Sequence, residues 1–363
     1  MSESELQESP LALSHQLAGA RFTAFAGWNM PLLYSSILEE HRAVRESAGL
    51  FDISHMGELR FAGPDTGAWL NTMLTNDTRK LRIGRAQYTL LLNEKGGVID
   101  DLMLYRIGEE EWFIIANASR VIEVRDTLAA ELPESVTLVD ESAASAAVAL
   151  QGPLAAEVFE SAFAVQMPAR NHVMDFIWEN VPLFAAGTGY TGEAGCEVVI
   201  PASSADRVWT HIFQAAGDRL RPCGLASRDT LRLEVCYPLN GNDLSPERSP
   251  FEAGLDIFVK MDKGDFQGRT ALQRQLEGDY QRLAAFIMEG KTPPPRAHCP
   301  VMIGGVAVGE VTSGSQSPSL GAGIGLAMVP ESVSAPGSEI GIEIRGQIFP
   351  ARIHSKPLYH RPL

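Results

Sequence analysis

Three short stretches hold polar residues whose types and spacing could do chemistry. Gly96-Gly-Val-Ile-Asp-Asp-Leu-Met-Leu-Tyr105 reads as a strand leaving a glycine turn. Alternation puts Ile99, Asp101, Met103 and Tyr105 on one face and Val98, Asp100, Leu102 and Leu104 on the other. Both faces are largely apolar, and a desolvated carboxylate needs a partner or a shifted pKa. Spacing alone favours the plainer placement, with both aspartates at the solvated end of a hairpin. Thr188-Gly-Tyr-Thr-Gly-Glu-Ala-Gly-Cys-Glu197 has glycines suited to tight turns and close backbone approach. It carries neither the dinucleotide nor the P-loop pattern. Glu197 falls in the apolar strand that follows, on the Val199 side, as a ligand contact or an ordinary edge residue. Leu225-Ala-Ser-Arg-Asp-Thr-Leu-Arg-Leu-Glu-Val-Cys236 reads as a helix with Arg228 on the stripe of Leu231 and Val235. Such an arginine wants an anion, a ring acceptor or a structural salt bridge. Arg232 is expected to be its solvated counterpart, within reach of Asp229.

Two further features have bland readings. His55, in Asp52-Ile-Ser-His-Met-Gly-Glu58, has no cysteine or histidine at metal spacing and is expected to be a hydrogen-bonded structural histidine. Phe25, Trp28 and Met30 read as core or pocket wall.

The elements that must position these residues mix two periods. Helical patterns cover residues 36–47, with Gly49 as the stop, and 65–74, 119–132 with Ser119 as N-cap, 203–216 and 225–236. A further helix is opened by Pro153. Strand alternation covers 58–61, 86–92, 98–106, 112–117, 147–151 and 196–200, with a hairpin turn at Asn93-Glu-Lys-Gly-Gly97. Hairpins with helices between them predict antiparallel α+β layers. After about Gln281 helical periodicity stops and short Gly- and Val-rich runs recur, behind a stiff Lys291-Thr-Pro-Pro-Pro295 connection. This predicts a small C-terminal β-barrel.

Composition sets the class. The chain has 363 residues, 45% hydrophobic and 21% charged, enough for two or three domains. A formal net charge of -15 argues against nucleic-acid binding, which needs clustered Lys and Arg. No apolar run approaches the roughly 20 residues of a membrane helix, and the acidic start shows no secretory signal, so a cytoplasmic location is expected. Cys196, Cys223, Cys236 and Cys299 form no CxxC pair and read as reduced thiols.

Taken together, the segments resemble the aminomethyltransferase (T-protein) family of the glycine cleavage system. The resemblance runs through Phe25-Ala-Gly-Trp-Asn-Met-Pro31, Glu39-Glu-His-Arg-Ala-Val-Arg45, Phe51-Asp-Ile-Ser-His-Met-Gly-Glu58 and Thr75-Asn-Asp77. It continues through Gly96-Gly-Val-Ile-Asp-Asp101, Leu150-Gln-Gly-Pro153, Gly189-Tyr-Thr-Gly-Glu193, Gly224-Leu-Ala-Ser-Arg-Asp229 and Pro250-Phe-Glu-Ala-Gly254. It ends with Lys263-Gly-Asp-Phe-Gln-Gly268, Thr312-Ser-Gly-Ser-Gln-Ser-Pro-Ser-Leu320 and Lys356-Pro357.

The resemblance implies a three-domain α+β architecture around a folate pocket. Residues 1–280 would form two interleaved antiparallel α+β units, one roughly 52–140, and residues 281–363 the barrel. It implies transfer of the methylene unit from an aminomethyl group on lipoylated H-protein to tetrahydrofolate, a co-substrate, with release of ammonia and formation of 5,10-methylenetetrahydrofolate. No metal is implied, and neither nucleic acid nor membrane is an expected partner. Asp101 matches the family's key acid, Glu197 the acceptor for pterin N–H groups, and Arg228 the donor to its acceptor edge. Met56, Tyr88, Met103, Tyr105 and Tyr190 match pocket-wall positions. The chain departs from the family at Ile257, where an aromatic residue is common, and at Leu225-Ala-Ser-Arg228, where Leu-Gly-Ala-Arg is usual. A folate-dependent demethylase of a small methylated donor is the rival reading. A non-catalytic iron–sulfur assembly factor is disfavoured, because Lys263-Gly-Asp-Phe-Gln-Gly-Arg269 lacks the cysteine usual there.

Overall fold

A computed structural model describes residues 6–361. The first five residues, part of the acidic start, lie outside the described range. The chain divides into two compact units. One holds residues up to Asn71, Asp77–Thr89 and Leu102–Arg228; the other holds Thr72–Asn76, Leu90–Asp101 and the chain from Asp229.

The first unit holds a small three-stranded sheet, ordered Gln7–Glu8, Trp28–Leu33, Arg21–Phe25, and two larger sheets. Six strands run in the order Val173–Trp178, Val181–Ala186, Gly195–Pro201, Ser145–Gln151, Ala48–Asp52, Leu220–Cys223. Neighbours are antiparallel except the last pair, Leu220–Cys223 against Ala48–Asp52, which is parallel. Alternation sends Leu50, Val148, Leu150, Cys196, Val198 and Ile200 to one face, where helices Ala155–Phe163 and Ala205–Ala216 cover them. The next residues along the strands, Phe184, Ala186 and Val199, point the other way and meet Ala86, Tyr105 and Phe113. Tyr105 and Phe113 belong to the second sheet, ordered Arg85–Leu92, Val98–Arg106, Glu111–Ala116, Gly57–Ala62, Thr137–Asp140. Its two longest strands begin or end in the other unit: Val98–Arg106 crosses the division after Asp101.

Local signals explain most boundaries. Helix Ile37–Glu46 starts at Ser36, whose Oγ accepts from the Glu39 amide (3.2 Å) and donates to the Glu39 carboxylate (3.0 Å). Gly49 is not the stop of this helix. It lies inside the strand Ala48–Asp52, where a Cβ would sit 2.5 Å from Val44 Cγ2 and 2.7 Å from Cys223 Sγ. Close packing, not a turn, requires that glycine. Ser119 is likewise not a cap: the helix is Val121–Ala130, preceded by Arg120, with no side-chain cap bond.

The second unit holds a closed barrel, ordered Gln281–Met288, Gly323–Pro330, Val306–Gln316, Pro300–Ile303, Glu339–Ile344, Gln347–His354. Ala284, Phe286, Val301, Val311, Ala327 and Ile342 fill it. The alternate residues Leu283, Ala285, Leu326 and Met328 face outward and pack on Leu233, Cys236 and Leu358. No helix of the described residues is long and apolar enough to cross a membrane.

Candidate functional site

Strand register places the first group. Ala186, Glu197, Ala149, Phe51 and Cys223 are successive partners across the six-stranded sheet, so they form one row on one face. The neighbouring row is Phe184, Val199 and Ala147, with the Ile53 amide bonded to the Ala147 carbonyl. Ala186 and Glu197 of the first row, Phe184, Val199 and Ala147 of the second, and Ile53, with Tyr105 and Ile115 from the other sheet and Met56 from the turn after Asp52, wall a cavity of about 10 Å³.

Polar groups in this face are few. Thr188 Oγ1 donates to Glu197 Oε2 at 2.6 Å, and Tyr105 also bonds the Thr188 side chain. Burial and the Glu197 charge push the Tyr105 hydroxyl well above its usual range, so it stays neutral. Gly189 and Gly195 serve contact with Gln151: a Cβ on Gly189 would sit 2.0 Å from Gln151 Oε1 and one on Gly195 2.6 Å from Gln151 Nε2, and Thr191 Oγ1 donates to Oε1 at 2.9 Å.

Arg228 is aimed from below. Buried Glu40 accepts from the Gly224 amide (2.9 Å) and Ser227 Oγ (3.1 Å), fixing the start of helix Leu225–Glu234. Gly224 is needed there, because a Cβ would lie 2.3 Å from the Leu32 carbonyl oxygen. The Arg228 guanidinium then lies 4.9 Å from the Tyr190 ring centre and 5.9 Å from that of Phe51. Burial depresses its basicity, and the Glu197 charge works in the opposite direction. Its Nη1 is sealed from solvent with no hydrogen-bond partner. A sealed, unpaired guanidinium nitrogen is costly and suits a ligand acceptor.

The turn Asp52–Met56 is held by a buried network. Asp52 Oδ2 accepts from Ser9 Oγ and bonds His15 Nε2 (2.8 Å), while Oδ1 accepts from the Ser54 amide and hydroxyl. His15 Nδ1 in turn bonds the Tyr34 hydroxyl at 2.8 Å. Burial pushes the Asp52 carboxyl up, but these hydrogen bonds outweigh it and hold the group below its usual range.

Met56, Tyr88, Met103, Tyr105, Tyr190, Glu197 and Arg228 therefore all belong to the first unit. Asp101 belongs to the second and is the last residue of its segment, one strand step before Met103 and Tyr105 on the same face of Val98–Arg106. Three expectations are corrected. Asp100 is fully buried, not solvated, and accepts from Asn240 Nδ2 at 3.0 Å. Arg232 is 2% exposed and pairs with Asp243 as well as Asp229, and it donates to Ser313 Oγ. His55 is buried, but its Nδ1 has no hydrogen-bond partner.

Thr188 and Glu58 were not singled out from sequence. Thr188 had no signal apart from its place beside the glycines. Glu58 is 1% exposed with both carboxylate oxygens unpartnered, and burial plus the charges of Asp140 and Glu141 raise it well above the usual carboxylate range. Ile257 is 69% exposed, in the turn Asp256–Phe258. Among the described residues no group of three or more His, Cys, Asp or Glu is placed to hold a metal.

Two family models match. The GCVT N-terminal domain covers residues 11–263 and the glycine cleavage T-protein C-terminal barrel domain residues 281–360. An aminomethyltransferase of Symbiobacterium thermophilum is 41% identical over 374 residues, covering 100% of this chain and 99% of the relative. One of Bacillus cereus is 38% identical over 361 residues, covering 98% and 99%. The crystal structure of glycine cleavage system aminomethyltransferase T from Bartonella henselae superposes with a TM-score of 0.92 at 33% identity, covering 98% of this chain and 99% of that one.

Proposed function

The chain belongs to the glycine cleavage T-protein family of aminomethyltransferases, and from that membership we infer that it moves the methylene unit of an aminomethyl group from lipoylated H-protein to tetrahydrofolate. Ammonia leaves, dihydrolipoyl H-protein remains, and 5,10-methylenetetrahydrofolate forms. The observation that carries the folate assignment is the sealed, unpartnered Arg228 Nη1 above Tyr190, in the same unit as Glu197.

Each residue has a physical task in this reading. Glu197, with one oxygen steadied by Thr188, accepts the adjacent N–H donors of the pterin's 2-amino/N3 edge. Arg228 donates to the acceptor edge of the same ring system, its guanidinium held 4.9 Å from the Tyr190 ring centre. Tyr105, kept neutral, supplies a hydroxyl without adding charge. Tyr88, Met56 and Met103 are pocket wall. Asp101 stabilises cationic character that develops at the reacting nitrogens and takes up a proton. Folate carries the one-carbon unit, so the protein's work is binding, orientation and charge. The division into a folate-binding region over residues 1–280, with an interleaved unit near 52–140, and a barrel domain from 281 is part of the same proposal.

The test is single-turnover ammonia release from aminomethylated H-protein, with and without tetrahydrofolate. Folate-stimulated release with methylenetetrahydrofolate as product is the expected result. Asp101→Asn is expected to slow that step by about 10²-fold or more, the range of a lost acid–base or charge-stabilising group. Absence of folate stimulation in folded, folate-binding protein would overturn the reading in favour of a methyl donor or a non-catalytic binder.

A further inference from the structure

We propose that His55 is a further ligand-contacting residue, its Nδ1 completing the polar set that Arg228 and Glu197 present to bound tetrahydrofolate. The proposal rests on the folate reading of this site. His55 is 5% exposed, and its Nδ1 is shut off from solvent with no hydrogen-bond partner. Nearly every buried polar atom in a folded protein finds a partner, and leaving one unmade carries a cost in stability. A structural histidine has no use for that cost, since the fold can bury a phenylalanine there at lower expense.

The ring packs on an aromatic neighbour and is carried by a fixed turn. His55 stands edge-on to Phe25, with ring centres 5.4 Å apart and planes at 89°. The turn that carries it is fixed at its base by Asp52, bonded to Ser9, His15 and Ser54, and closes through the Met56 amide to the Ile53 carbonyl. Met56, the next residue, and Ile53 wall the same cavity as Glu197 and Tyr105. Phe51, two residues before Ile53, lies under the Arg228 guanidinium.

The charged groups facing the ring are opposed. Burial pushes the imidazole down to about 4; the Asp52 carboxylate favours its protonation and the Arg228 guanidinium disfavours it. His55 is therefore neutral at working pH and offers one donor and one acceptor. A neutral ring beside the Arg228 cation can meet a pterin's mixed edge without adding a second positive charge.

Asparagine and glutamine separate this role from packing. The Asn amide reaches the place of a histidine Nδ1, and the Gln amide reaches that of Nε2. Tetrahydrofolate dissociation constants are measured by titration for the wild type, His55→Asn and His55→Gln, with thermal unfolding of each. The expected result is weakening of about 3-fold or less for Asn and about 10-fold or more for Gln, one buried hydrogen bond by the usual conversion, at similar melting temperatures. Equal affinities in all three, or equal losses in both variants, overturn the proposal. A wild type that fails to bind tetrahydrofolate overturns the folate reading itself, and this inference with it.

Discussion

At the scale of single residues, burial decides what each polar group can do. Glu58 is the sharpest case outside the proposed ligand set. Its folded pKa is raised by burial and by Asp140 and Glu141, so the fold favours the protonated acid. That contribution to stability is whole below the unfolded value near pH 4.3 and is lost as pH rises through the raised folded value, at about 1.4 kcal/mol per pH unit in between. Glu58→Gln removes the titration. The variant should melt higher than wild type at pH 7 to 8, and the difference should shrink towards pH 4.5. Parallel melting curves across that range would show that the folded pKa of Glu58 is not raised. Sequence could not reveal such cases. The order of motifs marked Glu197, Arg228 and Tyr105 through resemblance, but the fate of Arg232 turned on Asp243, eleven positions on, and Ser313, 81 positions on. A window of one helix shows Asp229 alone, so the arginine looked solvated.

At the scale of elements, alternation was legible wherever one face is apolar. The strand Val98–Arg106 has the bounds read from its pattern, because a glycine turn opens it and period-two residues fill both of its faces. Helix ends were less legible, since Ser119 looks like a cap and makes no cap bond, and Gly49 looks like a stop and sits in a strand. Nor did the pattern show that the turn after Ala48–Asp52 hangs on one carboxylate. Asp52 gathers Ser9, His15 and Ser54 from three places in the chain, all buried. Asp52→Ala leaves the His15 ring and both hydroxyls without that acceptor. Breaking such a buried charged network costs about 3–5 kcal/mol, which urea unfolding would read directly. The same variant should weaken tetrahydrofolate binding through the displaced turn of His55 and Met56. A loss below about 1 kcal/mol would mean that packing alone holds the turn.

At the scale of the whole molecule, the change of texture at Gln281 marks where the barrel begins but not where its contacts end. Leu233 and Cys236, from the segment just after Arg228, pack on the barrel's outward residues Leu283, Ala285, Leu326 and Met328. Glu234 beside them accepts from Ser317 Oγ, the Ser319 amide and Ser319 Oγ. Asp243 accepts from Thr312 Oγ1 and Ser313 Oγ while paired with Arg232. A chain ending at residue 280 would leave Glu234 and Asp243 without these hydroxyls and expose an apolar face. Asp243 keeps Arg232 and the Leu239 amide, so the larger loss is the apolar cover that the barrel gives Leu233 and Cys236. The truncated chain should therefore lose a cooperative melt and bind a hydrophobic dye, the behaviour of a loosened core. The barrel alone, residues 281–361, should aggregate through the outward Leu283, Leu326 and Met328 unless these are made polar. A truncated chain that melts sharply within a few degrees of the full protein would show that the segment after Asp229 folds on its own resources, and that the barrel is an appended module.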